Sequence, residues 1–225
     1  MKSIDILQYL QRNGITVFTT GDLSKIIGKP ISYTRNVVRR LPGVMKAERG
    51  IYYTEQASIY EIASNIVHFS YVSMISALRY YDIVTQMPRV VYVVSPKRHR
   101  NIMIMDYKIK FVKFKKSAVF GYVRRGNAFI AEPEKAILDS LYHNDFAYVD
   151  EALEKGISDK LIEIDKMISY AYSFGKKALI TKLGFFLDFY CNISVDKLLE
   201  RKSGKPVYLA KGARKYNRKW GVYYG

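Results

Sequence analysis

The sequence has one cysteine, Cys191, which excludes a disulfide-stapled scaffold, and only six prolines and 14 glycines in 225 residues, too few for a collagenous or linker protein. It also has no apolar run near the ~20 residues that cross a bilayer. The longest runs, Val90 to Val94 and Leu183 to Cys191, fall far short, and Asp188 interrupts the second. At the start of the chain Asp5, Gln8, Gln11 and Arg12 break any signal-peptide stretch. A soluble, cytoplasmic protein without membrane contact is expected. What is plentiful is core-forming material: 49% of residues are hydrophobic and 14% aromatic, which excludes a disordered chain. Cys191 lies on an apolar helical pattern and reads as a small buried side chain.

Acidic residues are scarce too. Twenty Asp and Glu stand against 37 Lys and Arg, a net charge of +17. Residues 1–56 hold nine basic and four acidic side chains, residues 57–150 thirteen and eight, and residues 151–225 fifteen and eight. The excess runs the whole length. A polyanionic partner explains it, because phosphates release counterions when Lys and Arg neutralise them. A uniformly Lys-rich surface gives the same total.

Chemistry-bearing groupings are missing. His68, His99 and His143 are isolated, and no Cys/His/Asp cluster has zinc-ligand spacing. There is no phosphate-cradling glycine loop and no serine-nucleophile motif. Glu134 and Asp139 are five apart on a predicted helix and do not share a face, while capping and the helix dipole account for Glu132 and Glu134. No catalysis, metal or cofactor is expected.

The first 56 residues are the most informative. Ser3 can cap a helix whose apolar positions Ile4, Leu7 and Leu10, with Ile6 beside them, recur at helical spacing until Asn13-Gly14 ends it. Thr16 to Thr19 reads as extended. A two-turn helix comes next, from Gly21 to Ile27, with Asp22 near its start and Gly28 as its stop. Ser32 can cap a third helix whose Thr34, Val37, Val38 and Leu41 make one inward stripe, closed by Pro42-Gly43. That stripe leaves Ser32, Tyr33, Arg35, Asn36, Arg39 and Arg40 outside. Arg can pair with guanine or grip phosphate and Asn can pair with adenine, so this is the side-chain set of a major-groove helix. Two strand-like pieces then flank Glu48-Arg49-Gly50, where Gly50 suits a tight hairpin, a wing with Arg49 at its tip. Lys29 and Lys46 are candidates for backbone phosphates. The order of elements predicts a winged helix-turn-helix.

Beyond it, helices are expected over Ala57 to Val67 and after a Ser73 cap, and strands over Val90 to Val94, Ile109 to Phe114 and Val119 to Val123, with a turn at Arg124 to Asn127. Glu132-Pro133-Glu134 opens a helix with Ala136, Ile137, Leu141 and Tyr142. Helices then run to Gly156, from a Ser158 cap to Gly175, and from Lys176 to about Cys191. The segment from Lys197 carries nine basic residues against Glu200 alone, and its strand-like Val207 to Leu209 and Trp220 to Tyr224 suggest that it is folded. Arg214, Lys215, Arg218 and Lys219, interleaved with Tyr216 and Trp220, can meet DNA or RNA backbone by charge and stacking.

Several stretches resemble one family. Phe18-Thr19-Thr20-Gly21-Asp22-Leu23, the Arg-bearing helix and Arg49-Gly50-Ile51-Tyr52-Tyr53 resemble the winged-helix module of AbiEi-type antitoxins. Tyr71-Val72-Ser73-Met74-Ile75-Ser76-Ala77-Leu78 is similar to a "Y-[IV]-S-x-x-S-A-L" stretch of that family, and Ala131-Glu132-Pro133-Glu134-Lys135-Ala136-Ile137-Leu138-Asp139 to its "A-x-PEKA-[IL]-LD" helix start. Lys219-Trp220-Gly221-Val222 resembles its ending. Thr85-Gln86-Met87-Pro88 departs from the pattern. The resemblance implies a transcriptional autorepressor of a type IV toxin–antitoxin system, binding inverted repeats in its own promoter and counteracting a nucleotidyltransferase-like toxin.

The expected fold is α+β: a winged helix-turn-helix over residues 1–56 and an AbiEi-like C-terminal α+β domain over residues 57–225. The expected partner is double-stranded operator DNA, with Arg35, Asn36 and Arg39 at base edges, Tyr33 and Arg40 at phosphates and Arg49 at the flanking backbone. The rival is an RNA-binding or protein-interaction module that uses the basic C-terminal region.

Overall fold

The structure, a computed structural model, describes residues 2–86 and 89–225, so Met87 and Pro88 of the departing loop lie outside the described residues. Helices and sheets are mixed along the chain as in an α+β protein. It divides into two compact units, and each is made of several chain segments.

The first unit comprises Met1–Val72, Arg89–Lys113 and Arg124–Ile130. It begins with α1 (Ser3–Arg12), β1 (Val17–Thr19), α2 (Thr20–Ile27), α3 (Ile31–Val38), β2 (Val44–Glu48) and β3 (Ile51–Thr54). In α1 the inward row starts at Ile6 and continues to Leu10, whereas Ile4 is exposed. Lys2, not Ser3, is the cap residue, and its N–H donates to the Asp5 carboxylate at 2.7 Å. Helix α2 is closed at both ends by local chemistry. The Asp22 N–H donates to the Thr19 hydroxyl at 3.1 Å and the Thr19 N–H to the Asp22 carboxylate at 2.8 Å, while Gly28 takes a left-handed φ of 64°.

The unit continues with α4 (Ile59–Asn65), β4 (Tyr71–Val72), β5 (Val90–Ser95), β6 (Ile102–Ile104), β7 (Tyr107–Lys113), residues 124–125 of β8 (Tyr122–Arg125) and residues 128–130 of β9 (Ala128–Ala131). Among the described residues these strands form a sheet of order β6-β7-β5-β4-β9-β8. Strand β5 is interior, parallel to β7 and antiparallel to β4, as its apolar run requires. The strand expected from Val119 starts only at Tyr122, because Lys116–Ala118 form a 3-10 turn and Gly121 sits at φ +67°, which breaks the extended run. Arg124 and Arg125, read as turn, extend that strand.

The compact unit does not end at residue 56. The Asn127 amide donates to the Gly14 carbonyl and, at 3.1 Å, to the Thr16 hydroxyl. His99 and Arg100 hold the Glu48 carboxylate at 2.9 and 3.2 Å. Bonds spanning 51 to 113 residues of chain tie the opening segment to distant stretches of sequence, so residues 57–72 and two later segments belong with it.

The second unit comprises Ser73–Pro88, Phe114–Val123 and Ala131–Gly225. It contains α5 (Met74–Tyr80), α6 (Pro133–His143), α7 (Val149–Ser158), α8 (Ile164–Phe174), α9 (Lys177–Phe189), a 3-10 turn over Asp196–Arg201, and the short strands β10 (Val207–Tyr208), β11 (Lys215–Asn217) and β12 (Val222–Tyr224). Ser158 ends α7 instead of capping α8, whose cap residue is Glu163. Helix α6 packs against α5, α7, α8 and α9 and is buried from Glu134 through Leu141. Glu132 is its cap residue and Pro133 its first, as the sequence suggests, but the Glu132 side chain makes no cap hydrogen bond. The Glu132 carboxylate accepts from the Lys166 ammonium at 2.9 Å and the Tyr170 hydroxyl at 2.5 Å.

An ion pair lies inside this core. Lys135 and Asp139, one helical turn apart, are ion-paired and have no exposed side-chain surface. Ser73 is the cap residue of α5, as expected, but its hydroxyl donates to the second Asp139 oxygen at 2.7 Å and makes no cap hydrogen bond. The Lys135 ammonium also lies 4.5, 4.9 and 5.7 Å from the ring centres of Phe174, Phe120 and Phe114. Burial lowers the Lys135 pKa, against the pull of Asp139.

Lys182 of α9 is a second inward lysine. Its ammonium donates to the Leu141 carbonyl at 2.9 Å and to the Asn144 side chain. Burial pushes its pKa down to about 8. The folded site thus holds fewer protons than the unfolded chain between that value and the ordinary lysine value of 10.5. The cost of the buried charge is in full force below the lower value and is relieved as pH rises through the window. Relative to Lys182→Met, the wild type is expected to gain roughly 2 kcal/mol between about pH 8 and pH 10. Urea unfolding of both proteins reads this; a constant gap would mean that the ammonium stays hydrated.

Cys191 lies past the end of α9 and is half-buried, not a core side chain. Burial, with Glu154 and Asp150 nearby, raises its thiol to about 11, far from a reactive thiolate. Among the described residues no helix is long and apolar enough to cross a membrane.

Candidate nucleic-acid interface

The core of the opening segment explains what α3 shows to solvent. Ile6, Leu10, Phe18, Leu23, Val38, Leu41 and Tyr52 form one buried cluster, with Leu7, Ile15, Ile26, Ile27, Val37 and Val44 packed against it. Helix α3 contributes Val38 to this cluster and buries Thr34, whose hydroxyl donates to the Pro30 carbonyl at 3.0 Å. Fixing those two positions fixes the rest of the helix by its 3.6-residue period. Ser32, Tyr33, Arg35 and Asn36 are exposed, Tyr33 at 54%.

The helix is shorter than its stripe suggests. It ends at Val38, Arg39 is its C-cap residue, and Arg40 lies in the turn just beyond. Pro30, not Ser32, is the N-cap residue. Both Arg39 and Arg40 are exposed. Among the described residues none of Arg35, Arg39 and Arg40 has an ion pair, so all three guanidinium groups are available. From Leu23 to Ala47 the chain carries no carboxylate at all, while it carries Lys25, Lys29, Arg35, Arg39, Arg40 and Lys46. Lys29 is exposed in the turn between α2 and α3.

The sheet beside the helix has the order β1-β3-β2, both pairings antiparallel. Glu48 pairs with Ile51, so Arg49 and Gly50 alone make the tip, with Gly50 at φ +80°. The register shifts between Lys46 and Glu48, a bulge that twists the hairpin near its tip. Lys46 and Arg49 are exposed. The neighbouring acid does not neutralise Arg49, because His99 and Arg100 occupy Glu48. His99, isolated in the sequence, finds its partner 51 residues away, beyond any local pattern.

The C-terminal candidates belong to the second unit and behave differently from one another. Arg214, Lys215 and Arg218 are exposed and have no ion pair among the described residues. Lys219 is not free. It pairs with Asp188 at 2.9 Å and Asp196 at 3.0 Å, and those bonds raise its pKa. Trp220 is fully buried, and its indole N–H donates to Asp188 at 2.8 Å. Lys219 and Trp220 therefore take part in the folding of the terminus. Among the described residues no group of three His, Cys, Asp or Glu side chains could hold a metal ion.

No family model matches the chain, and no curated protein matches it. Among solved structures, the RV2827C protein from Mycobacterium tuberculosis is similar at a TM-score of 0.57, over 96% of this chain and 89% of that one, with 12% sequence identity. At that identity the likeness is one of fold, and the fold shared is a mixed α+β arrangement.

Proposed function

We propose that residues 1–56 are a winged helix-turn-helix and that the protein is a cytoplasmic transcriptional repressor binding double-stranded operator DNA with inverted repeats. The observation that carries this reading is α3: aliphatic side in the core, and an exposed Tyr33, Arg35 and Asn36 face in a stretch without carboxylates. A helix before it and a basic-tipped hairpin after it complete the motif. In the complex, Arg35, Asn36 and Arg39 read base edges. Ser32, Tyr33, Arg40 and Lys29 meet phosphates, and Lys46 and Arg49 hold the flanking backbone. No catalytic step is involved. The autoregulatory antitoxin role, opposite a nucleotidyltransferase-like toxin, rests on the family resemblance of the Tyr71 to Leu78 and Ala131 to Asp139 stretches.

Arg35→Ala is expected to cost about 1–3 kcal/mol on the operator and to relax discrimination at one base pair. Lys46→Ala is expected to weaken all DNA alike and to lower the salt slope by about one. Gel shifts on matched and scrambled operators test both. Equal small losses for Arg35→Ala on the two DNAs would reduce that arginine to a charge. Co-expression with a nucleotidyltransferase-type toxin tests the antitoxin role, and growth arrest without rescue would remove it.

A further inference from the structure

The last three strands of the chain make a sheet of order β10-β12-β11 with two unlike faces. Val207 and Val222 are neighbours across the ladder, and both are buried. Strand alternation sends the next residues to the other face, where Tyr208 pairs with Tyr223 and Tyr223 with Tyr216. The Tyr208 and Tyr223 ring centres are 4.6 Å apart with planes 4° from parallel, and Tyr216 stands 4.6 Å from Tyr223 at 37°. Three rings form one column. Tyr208 and Tyr216, its ends, are 60% and 49% exposed.

The segment that builds the column carries side-chain charge of one sign. From Arg201 to Gly225 the chain has no acidic side chain, and Arg214 and Arg218 flank Tyr216 at the two ends of β11. Lys205, Lys211, Arg214, Lys215 and Arg218 are exposed and unpaired among the described residues. An aromatic platform with a cationic rim suits a ligand that offers flat π-faces and phosphates together. A duplex hides its base faces in its own stack; a single strand exposes them.

We propose that this sheet is a binding site for single-stranded nucleic acid. One base extends the column on the outer face of Tyr208 and another on that of Tyr216, while Arg214, Lys215 and Arg218 take phosphates. None of its residues is among those assigned to duplex DNA, and it stands or falls without them.

The test is fluorescence anisotropy with labelled oligo(dT) and oligo(U) of about 12 nucleotides, and with a duplex of the same length, on the full chain. Tyr208→Ala and Tyr216→Ala are expected to weaken single-strand binding about five- to hundredfold and to leave duplex affinity within about twofold. Tyr216→Phe keeps the ring and the affinity. Tyr216→Leu keeps apolar cover on the sheet but loses the π-face, so it is expected to bind as weakly as Tyr216→Ala while melting like the wild type. Tighter binding of either oligonucleotide supports the site and tells which sugar it takes. No single-strand binding by the wild type, equal competition by the duplex, or wild-type affinity in Tyr216→Leu would each overturn the proposal, leaving the column as cross-strand packing.

Discussion

Asp139→Ala is expected to lower the unfolding free energy by about 3–5 kcal/mol, the usual loss when one partner of a buried ion pair is removed. The Asp139 carboxylate has no exposed surface and meets the Lys135 ammonium on one side and the Ser73 hydroxyl on the other. Alanine leaves a cation among three phenyl rings with no counter-charge. The rings of Phe114, Phe120 and Phe174 soften that cost without replacing an anion. Burial already lowers the Lys135 pKa, and Asp139 opposes that shift. The variant is therefore expected to regain part of its deficit as pH rises toward about 10.4, where the unfolded lysine also loses its proton. The double variant Lys135→Met with Asp139→Leu removes both charges and is expected to lie close to the wild type or above it. Urea unfolding across pH decides the matter. An Asp139→Ala protein within about 1 kcal/mol of wild type would mean that water reaches the pair.

Trp220→Ala is expected to cost about 3–5 kcal/mol, the usual range for emptying a buried tryptophan site. The indole is fully buried against α9, and its N–H answers Asp188. The fit is tight at one point. A Cβ placed on Gly184 would stand 2.1 to 2.7 Å from three atoms of the six-membered indole ring. Gly184→Ala gains about 1 kcal/mol of helix propensity but loses more to that clash, and a net cost of about 1–3 kcal/mol is expected. Trp220→Phe removes the ring atoms that clash, so Gly184→Ala in that background is expected to be neutral or stabilising. A double-mutant cycle on thermal or urea unfolding measures the coupling; additive costs would show that Gly184 is not there for the indole.

The parts of the fold legible in the sequence are those fixed by neighbours in the chain. Helix α2 announces itself through Asp22 and Gly28, and the inward stripe of α3 through Thr34, Val37 and Val38, with Leu41 buried just past its end, all local spacings. The exposed face of α3 is set by that stripe, so most of the candidate site was readable. The unreadable parts depend on distant partners. Lys135 and Asp139 have the spacing of an exposed helix pair, and only phenylalanines from other segments turn that pair inward. Lys219 looked like a free cation because its acids, Asp188 and Asp196, lie on other elements. The tyrosine column needs three strands joined across the sheet, and no window of sequence contains their register. In α1 a one-turn pattern fits Ile4 as well as Ile6, and the tertiary core chose Ile6.

The interleaving of segments in the first unit has a consequence for synthesis. Strand β4 receives its parallel neighbour only from Ile130, and the Gly14 carbonyl waits for Asn127. Pairings so remote in sequence form slowly, because loop closure precedes any reward. On the ribosome, one side of β4 stays bare until the β8–β9 turn leaves the exit tunnel. A nascent-chain chaperone that shields exposed strand edges would find its target in that interval.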